Sequence, residues 1–201
     1  MNTMRPFTLT LDAAARRIPA CDRVLERRLS DLRGRFFDAA AYERALETGD
    51  PLVYEVHEIL RPENAGELLS GLSVVHPGVV GDEYFMTMGH YHGVRETAEI
   101  YLCVAGHGAM VMENGEGDWS VEELAPGRVL YVAPGWAHRS VNLSLTEDFA
   151  TFFVYPGHAG HDYGAIRTLG FRKLVVRRNG THLVIDNPKW APAPAAIGGA
   201  R

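Results

Sequence analysis

From Asp50-Pro51 onward the chain is cut into short runs rich in β-branched and aromatic residues, and this texture constrains the fold more than any other feature. The runs are VYEVHEIL, LSVVH, EYFMTM, EIYLCV, AMVME, WSVEEL, RVLYVA, RSVNL, FATFFVYP, RKLVVR and THLVID. Between them stand the turn signals HPG, GDE, AGHG, NGEGD, APG, SLTED and RNG. About ten strands at this spacing indicate an all-β antiparallel sandwich or barrel rather than βαβ units. Before Pro51 the pattern differs. Residues 1–36 mix short apolar groups with arginine clusters (Arg16-Arg17, Arg27-Arg28, Arg33, Arg35), read here as a solvated face, with a dimer-contact arm as the alternative. The stretch DAAAYERALET over 38–48 favours a helix, with Asp38 as N-cap and Gly49 as its stop. The Pro/Gly-rich APAPAAIGGAR reads as a mobile tail. The expected organisation is one domain: an N-terminal arm and helix over 1–50, a barrel over 51–190 and a tail over 191–201.

Composition narrows the function classes. The chain has 201 residues, 46 % hydrophobic and 22 % charged, which suffices for one substantial core. A net charge of −5 offers no basic footprint for nucleic acid. No run approaches a membrane span and the first residues lack a continuous apolar h-region, so the expectation is a cytoplasmic protein with no membrane partner. Two cysteines, Cys21 and Cys103, lie far apart in sequence and fit a reduced compartment.

The stretch Gly89–Gly106, GHYHGVRETAEIYLCVAG, carries the chemistry. Side chains two apart on an extended chain point the same way, so His90 and His92 project together, as two imidazoles must to hold one divalent cation. A turn over GVRETA brings Glu99 back as a third ligand, and His138 in PGWAHRSVN supplies a fourth. A lone histidine is usually a surface or hydrogen-bonded residue, and a lone glutamate is usually solvated. The combination of H-x-H, a following carboxylate, a glycine turn and a later G-x-x-H favours a metal site. This set of three nitrogens and one oxygen suits Fe(II), Zn, Mn, Ni or Co and leaves positions open. Thr87, Gly89, Ser73 and Tyr101 share the inward parity; a glycine at 89 lets a ligand approach the backbone. His57, His76, His107, His158 and His182 read as non-ligands.

The run His90-x-His92-x6-Glu99-x6-Gly106 resembles the first cupin motif, and Gly127 through Pro134, Gly135, His138 and Asn142 resembles the second. TMGHYH, AEIY, YVAPGWAHRSVN and YPGHAGHDYG, with DPLVYEV and DNPKW, resemble the signature segments of the cupin-type glucose-6-phosphate isomerases of archaea and some bacteria, over roughly residues 30 to 190. The resemblance implies a jelly roll carrying one metal ion inside the barrel, iron first, with exchange tolerated. It also implies a phosphorylated sugar substrate surrounded by Tyr54, Ser73, Tyr155, His161 and Tyr163, and a homodimer formed through sheet extension. Where relatives carry threonine, Ser73 keeps the hydroxyl.

An aldose–ketose isomerisation moves a hydrogen between C2 and C1. In one route Glu99 takes the C2 proton and returns it to C1; in the other the hydrogen passes directly and Glu99 is mainly a ligand. Tyr101 or Tyr155 is placed to shuttle hydroxyl protons, and His161 to assist ring opening or bind phosphate. The same ligand set also fits an Fe(II) dioxygenase, and the barrel alone fits a non-catalytic sugar-phosphate sensor.

Overall fold

The computed structural model describes residues 5–190, and the tail expected over 191–201 lies outside them. In chain order the strands are β1 (Arg23–Arg28), β2 (Leu52–Ile59), β3 (Leu68–Val75), β4 (Val79–Val80), β5 (Glu83–Tyr84), β6 (Tyr91–His92), β7 (Glu99–Ala105), β8 (Gly108–Asn114), β9 (Trp119–Leu124), β10 (Val129–Val132), β11 (Trp136–Asn142), β12 (Phe149–Pro156), β13 (His161–Asp162), β14 (Lys173–Arg178) and β15 (Thr181–Asp186). Helix α1 (Ala39–Thr48) precedes β2, and the short α2 (Gly164–Leu169) follows β13.

One face is a six-stranded sheet ordered β1-β2-β3-β12-β7-β10. The other is assembled from β11-β8-β9 and β15-β14-β5-β4, tied by a bridge between Met86 and Val141. Every pairing is antiparallel. The result is the antiparallel sandwich expected from the short runs, closed around an interior that is polar at one end. Val53, Val75, Met86 and Phe171 pack one apolar cluster, and Met110, Leu124, Val132 and Phe149 a second.

Local chemistry explains most turns. Asn179 and Gly180 both take positive φ, +53° and +79°, the conformation that a two-residue hairpin between twisted strands demands. The Asn114 side chain accepts from the backbone N–H groups of Glu116, Gly117 and Asp118, closing the NGEGD turn. Asp38 caps α1 by accepting from the Ala41 N–H at 2.9 Å, and the Gly49 N–H closes its end on Leu46.

Three features depart from the sequence reading. EYFMTM supplies only a two-residue strand, because Met86 leaves β4 and β14 and bridges to Val141 of the adjoining β11 sheet. Helix α2 is too short to show a period. The third departure is β1, which lies inside the stretch expected as an arm with a solvated arginine face. It extends the six-stranded sheet by pairing with β2, and every second residue, Leu25 and Arg27, is half-buried. Alternation there is hidden because the inward set contains an arginine.

Gly106, which closes the β7–β8 turn, has φ +76°, and a Cβ built there would stand 2.0 Å from the Asp148 carbonyl oxygen. Gly106→Ala is therefore expected to cost about 2–4 kcal/mol, combining left-handed strain with overpacking. A denaturant titration reads this directly, and a loss below about 1 kcal/mol would contradict it.

Candidate metal centre and cavity

His90, His92, Glu99 and His138 converge inside the barrel, with one ligand atom from each lying within 4.8 Å of all the others. Three local arrangements achieve this. His90 and His92 follow the left-handed turn at Gly89 and keep the same side, their ring centroids 5.9 Å apart. Backbone hydrogen bonds in both directions between His90 and His138, at 3.2 and 3.1 Å, clamp the H-x-H segment against β11. Glu99 is the first residue of β7 and points back across the barrel, only 3 % exposed.

Hydrogen bonds at the far side of the rings fix their tautomers. The Thr97 hydroxyl donates to the Val94 carbonyl at 2.6 Å, which leaves its oxygen to accept from the Nδ1–H of His92 at 2.8 Å. The Trp136 carbonyl, 3.4 Å from His138 Nδ1, is the acceptor for that ring. Both rings then present a bare Nε2 toward the interior. Those nitrogens lie 3.1 and 2.9 Å from the same oxygen of Glu99, Oε2, and His90 Nε2 is buried without a hydrogen-bond partner. Acceptors facing acceptors at these distances repel unless a cation lies among them, so the donor set fits a divalent metal ion.

Electrostatics point the same way. Burial, then His138 and His161, holds the His90 pKa well below its ordinary value, so the ring is a neutral donor.

A cavity of about 410 Å³ opens beside the cluster, within the range of small-molecule sites. It is lined by Tyr54, Ser73, Thr87, Gly89, His90, Glu99, Tyr101, His138, Tyr155, His161 and Tyr163 among others, while His92 sits buried behind them. Burial and the Glu99 charge raise the Tyr101 and Tyr155 phenols, keeping them protonated. His161 stands at the mouth, its ring 4.4 Å from that of His90 and stacked on Tyr163 at 6.0 Å. The Ser73 hydroxyl is buried without a partner. The Thr87 hydroxyl already accepts from the Ser140 N–H at 3.0 Å and so also braces the wall. At Gly89 the backbone gives a further reason for glycine: φ is +75°, and a Cβ would meet the Phe171 ring at 2.5 Å.

Asp162 caps its turn by accepting from the Gly164 N–H. Four of the five histidines read as non-ligands pair with carboxylates away from the cluster, His57 with Glu55, His76 with Asp148, and His107 and His182 with Glu123. Arg23, Arg27, Glu58, Arg61 and Glu63 also line the cavity, a set the sequence reading missed. Only the weak alternation of Leu25 and Arg27 in β1 could have disclosed the first two.

Thr97→Val keeps the shape but removes the acceptor that orients His92. Metal affinity measured by chelator competition should fall about tenfold or more, and an unchanged affinity would show that this contact does not tune the ligand.

Comparison with known proteins places the chain. A family model described as glucose-6-phosphate isomerase (GPI) matches residues 26–191. Over 191 residues the chain is 44 % identical to a glucose-6-phosphate isomerase from Thermococcus gammatolerans, covering 95 % of this chain and all of that one. It is 43 % identical over 190 residues to the Thermococcus litoralis protein of the same name, covering 94 % and 99 %. A solved oxalate oxidase structure aligns more distantly, with a TM-score of 0.47 at 13 % identity over 59 % of this chain and 58 % of that one. The family match runs from β1 through the end of the barrel and its relatives are covered almost end to end, and on these grounds the chain belongs to the glucose-6-phosphate isomerase family.

Proposed function

We propose that this chain interconverts glucose 6-phosphate and fructose 6-phosphate, as a step of glycolysis and gluconeogenesis, around one divalent cation held by His90, His92, Glu99 and His138. Iron(II) is the first choice, with Zn, Mn, Ni and Co as substitutes suited to the same donors. The observation that carries the reading is the convergence of three bare imidazole nitrogens and one carboxylate beside a cavity of sugar-phosphate size. A bound cation supplies Lewis acidity to the sugar carbonyl and to the charge that develops next to it.

The chain's own groups do the rest. The protonated Tyr101 and Tyr155 phenols donate to sugar oxygens and relay hydroxyl protons. His161, at the mouth, assists ring opening. Ser73, with its unpartnered hydroxyl, and Tyr54, whose phenol burial pushes up to about 12, hold the sugar chain together with Thr87, Gly89 and Tyr163. The role of Glu99 separates two routes. Glu99 Oε2 stands between the Nε2 atoms of His92 and His138 at 3.1 and 2.9 Å, so that oxygen is committed to the donor set rather than free to take a proton. This favours the route in which the hydrogen passes directly between C2 and C1 and Glu99 serves as a ligand.

We also place the chain as a cytoplasmic homodimer. Both cysteines are unpaired, and no helix among the described residues is long and apolar enough to cross a membrane. The edge strand β10 leaves Val129 and Tyr131 exposed next to Ile100 of β7, an apolar strip that a second copy would cover.

A coupled assay for fructose 6-phosphate formation tests the reading. Activity should appear with glucose 6-phosphate, disappear with chelator and return on adding Fe(II), without oxygen consumption. Oxygen uptake with no isomerisation would contradict it and favour the dioxygenase alternative. His138→Ala should lose metal and at least about a hundredfold in turnover. In deuterated water the product should carry little solvent deuterium; full incorporation would restore Glu99 as the proton carrier. Tyr131→Glu should yield a monomer in solution, and a persistent dimer would place the contact elsewhere.

A further inference from the structure

A second, smaller cavity lies behind the wall of the one beside the metal centre, and Met88 and Arg139 line both. Its volume is about 90 Å³ against 410 Å³, which suits an ion and excludes a hexose. Among the described residues, Arg35, Arg139, Arg167 and Lys189 line it and no carboxylate does. These cations come from four separate places: the segment before α1, β11, α2 and the segment after β15. A chain with 25 acidic residues had carboxylates to place here, and like charges gathered without one repel.

The cations keep donors in reserve. Arg139 is only 4 % exposed, and through one nitrogen, Nη2, it meets Glu83 at 3.7 Å and the Lys173 carbonyl at 3.3 Å. Its Nε is buried and has no hydrogen-bond partner. Arg35 uses one nitrogen, Nη1, on the Ile166 and Arg167 carbonyls at 3.4 and 2.9 Å. That contact draws it against α2, and burial, then the Arg167 charge, lowers its pKa. Arg35, Arg167 and Lys189 have no ion-pair partner among the described residues. Glu83 answers one cation of the four, so three positive charges stay unbalanced around one small space.

We propose that this cavity binds a small tetrahedral oxyanion of the phosphate class, held by Arg35, Arg167, Lys189 and the free Nε–H of Arg139. The Arg139 guanidinium stacks over Phe171 at 4.7 Å, and Phe171 packs against Gly89, next to His90. A bound ion therefore braces the wall that carries His90 and His138 without touching a ligand in the larger cavity. The site does not depend on the isomerase reading, and it gives Arg35 a partner in place of a solvated face.

Isothermal titration of metal-loaded protein with sodium phosphate at fixed ionic strength tests the site. Binding should persist with the larger cavity saturated by glucose 6-phosphate. R167Q/K189Q should weaken phosphate binding at least tenfold, with kcat/KM and the Tm in phosphate-free buffer unchanged, and R167K/K189R should restore it. The single variants R167Q and K189Q should each show part of the loss. Equal isotherms in wild type and R167Q/K189Q would overturn the proposal. So would complete displacement of phosphate by glucose 6-phosphate, or the same heat from sodium chloride, which would mean a diffuse ion atmosphere only.

Discussion

The arrangement depends on one buried carboxylate and the three imidazoles turned toward it. Glu99 is nearly sealed from water, and an ion in such a place is stable only if opposite charge or donors surround it. Here the inward nitrogens of His92 and His138 have been made acceptors by hydrogen bonds at their other edge, and His90 Nε2 has no partner, so the balance is left for a cation to complete. The strands on which these groups ride, the bridge between His90 and His138 and the register of β7 against β10 are the scaffold that keeps four donors within one ion's reach. Beneath them a second buried pair, Arg139 with Glu83, anchors β11, and the Arg139 guanidinium stacks over Phe171 at 4.7 Å.

From this centre the cavity grows outward in bands of chemistry. Next to the donors are phenols kept protonated by burial, able to donate and relay protons but not to carry charge. At the mouth, His161 and Tyr163 stack on one another and close one side. Arg27 of β1 and Tyr54 of β2 also line the wall.

The sequence discloses what depends on short-range periodicity. His90 and His92 keep a common side even though β6 contains only two residues, because parity survives wherever the backbone stays extended. The hairpin at Asn179-Gly180 and the cap at Asp38 are legible because each residue type is there for a backbone reason. What stays hidden depends on tertiary partners. Nothing local distinguishes Arg27, which faces the cavity, from Arg28, which reaches the Asp50 carbonyl at 3.1 Å. The difference is a bulge and a neighbouring strand. Thr97 likewise acquires its role from a ring five residues earlier, across a turn whose shape the residue types do not specify. At Gly89 the residue type is legible, but not the obstacle a side chain would meet, Phe171, which arrives from 82 positions along the chain.

Anomalous diffraction from crystals grown with Fe(II) tests the central claim most directly. The account predicts one strong metal peak per chain, bounded by the imidazole nitrogens of His90, His92 and His138 and a carboxylate oxygen of Glu99, each about 2.0–2.2 Å away. A peak elsewhere, or metal-loaded protein in which any of those four groups faces away from the ion, would contradict it.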